Sequence, residues 1–157
     1  MMITLLDVAR RHIGIGERIG DKDHPWIQWA LSLCRQGYDA HDEVPWCAAA
    51  VNAWAFVLGL PMTHSVAARS WLTVGTTRPV PTLIDVPTGF EVVVFARTTG
   101  LTWPDASVID APGHVGVLDH VAEGQVWIVG GNQHDQVSLA AFPVARVLGV
   151  RRLTADQ

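Results

Sequence analysis

The hydrophobic period of this chain changes once, and that change constrains the fold more than any other feature. Up to about residue 72 the apolar residues recur at helical spacing. From residue 92 they come in short β-branched runs separated by turn residues. Leu5, Val8 and Ala9 share one face of a helix over 4–12, which Gly14 and Gly16 stop. Ile27, Ala30, Leu31 and Cys34 mark a second helix. A third begins near Pro45, runs to about Leu58 and places Cys47, Val51, Trp54 and Leu58 along one stripe. A fourth is expected from Ser65, a good N-cap, through Trp71 and Leu72. Strands are expected at 92–96, 115–118, 126–129, 136–139 and 147–150, with a polar loop over 98–113. Helices first and strands afterwards predict an α+β fold whose N-terminal helices pack on a C-terminal antiparallel sheet.

Residues 1–157 read as a single domain, long enough to bury about 70% of the unfolded surface without disulfide staples. Charged residues are 17% and hydrophobic ones 49%, which excludes a disordered, solvating segment. A net charge of −4 with 11 Lys and Arg lacks the footprint of a nucleic-acid binder. The two cysteines, Cys34 and Cys47, cannot build a disulfide scaffold. Residues 44–60 carry no charge, but Pro45, Asn52 and Gly59 interrupt them and they reach only the lower limit of a bilayer span. A buried helix is expected there, with no stable membrane insertion. Asp7 interrupts the apolar start before a signal-peptide core forms, so a soluble protein made in the cytoplasm without a secretion signal is expected.

Cys47 falls in the first turn of the third helix, where unpaired N–H groups and the helix dipole favour an anion. That setting lowers a thiol's pKa and makes a nucleophilic thiolate, although position alone also suits a core cysteine. His114 adds to the case because it opens a strand at the end of the sheet. If residues 122–124 form a three-residue hairpin loop, facing residues have numbers that sum to 246. Leu118 then meets Ile128, Val117 meets Val129, and His114 meets Asn132. An amide accepting from one imidazole nitrogen would fix the tautomer and aim the other nitrogen at Cys47, the triad logic with cysteine, histidine and asparagine. A slip of one residue brings Gly131 or Gln133 opposite His114 instead, so Gln133 competes with Asn132 for the third position.

Four blocks, in this order and spacing, resemble the NlpC-type peptidase superfamily: Asp42 through Asn52 with Pro45-Trp46-Cys47, Ala68 through Leu72, Gly113-His114-Val115-Gly116 and Gly130-Gly131-Asn132-Gln133. The likeness is to a CHAP-like branch common in phage and prophage lysis proteins, and it covers roughly residues 5–152. It implies a papain-like α+β fold and a hydrolase that cleaves peptide or amide bonds of peptidoglycan muropeptides, such as an endolysin or a secreted antibacterial effector. Carried over by position, Cys47 is the nucleophile, His114 the base and Asn132 the orienting residue. The Cys47 N–H supplies one oxyanion donor, and the loop upstream, with Tyr38, is a candidate for the second. Glu43, with Asp42, and Trp46 are candidates for substrate contact. An N-acetylmuramoyl-L-alanine amidase with the same triad, and a catalytically silent wall-binding or phage structural module, are the alternatives. No cofactor is expected. No metal is expected either, because six strand residues put His114 and His120 about 20 Å apart. His12, His24, His41 and His64 read as surface residues and Cys34 as a core residue.

Overall fold

A computed structural model describes residues 1–17, 24–35, 46–80, 86–97 and 112–155. Three α-helices lead, α1 (Leu5–Arg11), α2 (Pro25–Ser32) and α3 (Cys47–Val57), and a 3-10 helix follows over Ala68–Thr73. The strands are β1 (Thr76–Arg78), β2 (Glu91–Ala96), β3 (Gly113–Ala122), β4 (Gln125–Gln133), β5 (Gln136–Pro143) and β6 (Val147–Arg152). They form one antiparallel sheet in the order β1-β6-β2-β3-β4-β5. The protein is therefore α+β, with helices preceding an antiparallel sheet.

Local chemistry explains the helix starts. Thr4 and Asp7 form a capping box on α1: the Thr4 Oγ1 accepts from the Asp7 N–H (3.1 Å) and the Asp7 Oδ2 accepts from the Thr4 N–H (2.9 Å). His24 is no idle surface residue, because its Nδ1 accepts from the Trp26 N–H (3.1 Å) and caps α2 ahead of Pro25. The uncharged run becomes α3, buried at every position from Cys47 to Ala55 rather than along one stripe. Alanines at 48, 49, 50, 53 and 55 let it lie close against β3 and β4. Among the described residues no helix is long and apolar enough to cross a membrane. Asn52, inside this apolar helix, is fully hydrogen-bonded: its Nδ2 donates to the Ala48 carbonyl (3.0 Å), and its Oδ1 accepts from the N–H groups of Thr63 (2.9 Å) and His64 (3.1 Å). It ties the chain after α3 back onto the helix.

The fourth helix differs from expectation. It is a 3-10 helix starting at Ala68, and Ser65 does not cap it; the Ser65 Oγ accepts from the Ala67 N–H in a local turn instead. β1 escaped prediction because all three of its residues are exposed, so no burial pattern marks it.

The two faces of the sheet hold separate apolar clusters. Val92, Val94, Val115, Val117 and Val129 face the helices, while Val93, Phe95, Leu118, Ile128 and Val150 pack on the other side. Glu91 anchors the start of β2. Its buried carboxylate accepts from the N–H groups of Thr88, Gly89 and Phe90, from the Thr88 hydroxyl and from the Arg152 guanidinium (3.0 Å). Burial pushes this carboxyl up, but the Thr88 and Arg152 interactions outweigh it and hold the pKa below the usual carboxylate value. A depressed folded pKa means Glu91 stabilises fully above its unfolded value of about 4.3, and the contribution is lost as pH falls through the lower folded value. Glu91→Ala is expected to cost about 3 kcal/mol at pH 7 in urea unfolding, because it leaves the donors of this buried cluster without an acceptor. The penalty shrinks in acid.

Candidate active site

Cys47 is the first residue of α3 and is 2% exposed. The Ala50 N–H already bonds the Trp46 carbonyl (2.9 Å), which leaves the earlier N–H groups of the helix without intrahelical partners. Those of Ala48 and of Val115, on β3, reach the sulfur. Burial pushes the thiol up, yet the hydrogen bond and charge of His114, together with these backbone donors, bring it below its ordinary value. Cys34 receives one such bond among the described residues, from the Asn52 amide N–H, and burial outweighs it. It lies buried beside Asn52, and burial pushes its thiol up to about 11.

His114 is the second residue of β3, at the end of the sheet. Its ring packs 5.1 Å from Phe142, which in turn lies 4.8 Å from Phe95. The His114 Nε2 meets the Gln133 Oε1 at 2.8 Å. The Gln133 Nε2 donates to both the Ser138 carbonyl (2.7 Å) and the Ser138 Oγ (3.1 Å), so Oε1 is the acceptor facing His114. Neutral His114 then carries its proton on Nε2 and leaves Nδ1 unprotonated for the thiol. Burial lowers the imidazole pKa, but Cys47 and Gln133 raise it more, against a smaller opposing effect of Arg146; the net shift is upward. A thiol shifted down beside an imidazole shifted up favours the thiolate–imidazolium pair.

The side chain bonded to the His114 ring is therefore Gln133, the competitor of Asn132 for that place in the sequence. The hairpin arithmetic holds for Val117↔Val129 and Leu118↔Ile128. Its loop differs: Ala122 pairs with Gln125, so only Glu123 and Gly124 turn, with φ of +53° and +73°. An irregularity between Leu118 and His120 absorbs the difference. At the far end β4 shifts register against β5 between Gly130 and Gln133, and Asn132 takes a left-handed φ of +56°. Asparagine tolerates that conformation better than most residues. Asn132 turns the backbone so that Gln133 reaches His114, while its own side chain lines the groove above.

The two glycines before it make room. A Cβ on Gly130 would lie 2.6 Å from the Gln133 Oε1, and one on Gly131 would lie 2.6 Å from the Trp46 ring. Trp46 is thus a buried wall residue rather than an exposed substrate contact. Its indole N–H donates to the Glu17 Oε1 (2.8 Å), and it wedges the start of α3 against β4. Gly131→Ala is expected to displace Trp46 and with it Cys47, visible as lowered activity together with lowered thermal stability.

Cys47, His114 and Gln133 open into a groove of about 330 Å³, also lined by Arg97, Phe142 and Arg146. Ser138, Phe142 and Arg146 were not foreseen. They belong to β5 and the turn after it, where only their nearness in space to His114 reveals them. Tyr38, Asp42, Glu43 and His41, proposed for oxyanion or substrate contact or as a surface residue, lie outside the described residues. His120 faces elsewhere, bonded to Asp119 (2.7 Å) and stacked on Trp127. Among the described residues no three His, Cys, Asp or Glu side chains group as a metal site requires.

The two cysteines give a direct chemical test of these environments. Cys47 is expected to alkylate at pH values below its ordinary titration range, whereas Cys34 titrates only toward about 11. His114→Ala is expected to raise the apparent pKa of Cys47 and leave Cys34 unchanged. Equal pH profiles for the two thiols would show that the helix start and His114 do not activate Cys47. In comparisons with known proteins, no family model and no curated protein matches the chain.

Proposed function

We propose that this protein is a cysteine peptidase with a papain-like arrangement, hydrolysing peptide (amide) bonds in bacterial peptidoglycan. The observation that carries the chemistry is the hydrogen-bonded chain Cys47–His114–Gln133 at the floor of an open groove. The substrate class rests on the resemblance of the Pro45-Trp46-Cys47, Gly113-His114-Val115 and Gly130-Gly131-Asn132-Gln133 blocks to NlpC-type and CHAP-like wall hydrolases. A wall substrate also places the site of action outside the cytoplasm, after release or delivery.

In this reading the His114 Nδ1 takes the Cys47 proton and the thiolate attacks the scissile carbonyl carbon. The tetrahedral oxyanion lies at the start of α3, where the Cys47 N–H can donate to it. His114 then gives its proton to the departing amine, leaving an acyl-enzyme. A water deprotonated by His114 attacks that thioester, releases the acid and restores the thiol. Gln133 holds the ring for every step and takes no proton.

Mass spectrometry of peptidoglycan digests tests the assignment. New amino termini within the stem or cross-link peptides are the expected products. Release of whole peptides from the lactyl group of muramic acid would make the protein an amidase using the same residues. No cleavage by protein whose Cys47 titrates as a thiolate would make it a silent wall-binding module.

A further inference from the structure

The described lining of the groove beside Cys47 carries positive charge on a chain whose net charge is −4. Its described lining residues include Arg97, His114, His134 and Arg146, and no Asp or Glu. Arg146 is held rather than loose. Its Nε donates to the Ala96 carbonyl (2.9 Å) and its Nη2 to the Arg97 carbonyl (2.6 Å), both at the end of β2. Its guanidinium carbon lies 5.3 Å from the centre of the Phe142 ring, the ring that packs against His114. These two bonds use Nε and one hydrogen of Nη2, and Arg146 lines the groove, so a guanidinium anchored on one edge stands at its wall. Arg97, exposed at the same strand end, adds a second positive charge.

We propose that Arg146, with Arg97 beside it, forms a carboxylate-binding subsite next to Cys47, and that the substrate carries a free carboxylate near the scissile bond. A guanidinium fixed by two carbonyls loses little freedom on binding, and its remaining N–H groups suit a planar carboxylate. Phe142 backs the subsite and connects it to the His114 ring, so an anion there registers the carbonyl over the thiolate. The proposal deepens the hydrolase reading and rests on it, and its test works without turnover.

The probe is a matched pair of thiol reagents, neutral N-ethylmaleimide and the anionic 3-maleimidopropionic acid, reacted with Cys47 of the full chain. The rate ratio of anionic to neutral reagent is the readout, since it cancels changes in thiol reactivity. Arg146→Gln is expected to lower the ratio at least about fivefold, the scale of one charge-assisted contact at a half-exposed site. Arg97→Gln is expected to lower it less, and leaves the backbone carbonyl that anchors Arg146 in place. Arg146→Lys keeps the charge without the fork, so an intermediate ratio is expected. A ratio unmoved by both Gln variants while Cys47 still reacts would overturn the subsite and leave the nucleophile intact. A Cys47 that reacts with neither reagent would overturn the hydrolase reading and the subsite together.

Discussion

Cys47→Ala and His114→Ala are each expected to lower cleavage of muropeptides by about 10⁴-fold or more, because nucleophile and base act as one unit and losing either removes the acyl-transfer route. Both proteins are expected to stay folded. Cys47 is small, and alanine already fills the neighbouring positions of α3, so its loss opens little space. His114 sits at the end of the sheet, half-buried at the groove rather than in either apolar cluster. Circular dichroism and thermal melts close to wild type, alongside abolished cleavage, are the expected result. Normal turnover in Cys47→Ala would remove cysteine catalysis altogether. The pH dependence of the wild type follows from the same pair. Cys47 is shifted down and His114 up, so activity fails in acid as the thiolate is protonated and in alkali as the imidazolium loses its proton.

The parts of this site legible in the sequence are those fixed by local rules. Pro45 and the uncharged run after it place Cys47 in the first turn of a helix. The β-branched run after Gly113 puts His114 at a strand end, and a hairpin loop ending at Gly124, expected one residue too long, still aligns β3 with β4 over Val117 and Leu118. What escaped depends on single residues leaving regular geometry. Residue counting cannot see that one turn residue fewer is matched by an irregularity near Asp119. Nor can it see that Asn132 adopts a positive φ and hands its expected place to Gln133. The Gly-Gly pair was the available signal. Two glycines side by side in a strand mark backbone that other groups approach closely, here the Gln133 amide and the Trp46 ring. Asparagine after them is a common occupant of left-handed backbone. His24 as a helix cap and the exposed strand β1 escaped for a different reason: a cap is defined by where its side chain turns, and an exposed edge strand has no apolar face to announce it.

Gln133→Ala is expected to lower kcat about 100-fold with KM little changed, whereas Asn132→Ala stays within about threefold of wild type on both, on the scale set by residues that orient an imidazole. In the proposed mechanism Gln133 is a positioning residue. It acts through the Nε2 of His114, and Ser138 fixes its amide so that oxygen rather than nitrogen faces the ring. Without it the imidazole is free to rotate and to carry its proton on the nitrogen facing Cys47, where it cannot accept one. A purely structural loss would be seen as lowered stability and an unchanged pH profile. A positioning role moves the profile instead. The Gln133 contact raises the His114 pKa, so Gln133→Ala is expected to shift the alkaline limb of the rate profile to lower pH. Gln133→Glu places a carboxylate against the same nitrogen and is expected to shift that limb to higher pH while recovering part of the rate. Asn132→Gly keeps the left-handed backbone and is expected to behave as wild type. If Asn132→Ala were the more damaging change and Gln133→Ala left the profile in place, the third role would return to Asn132.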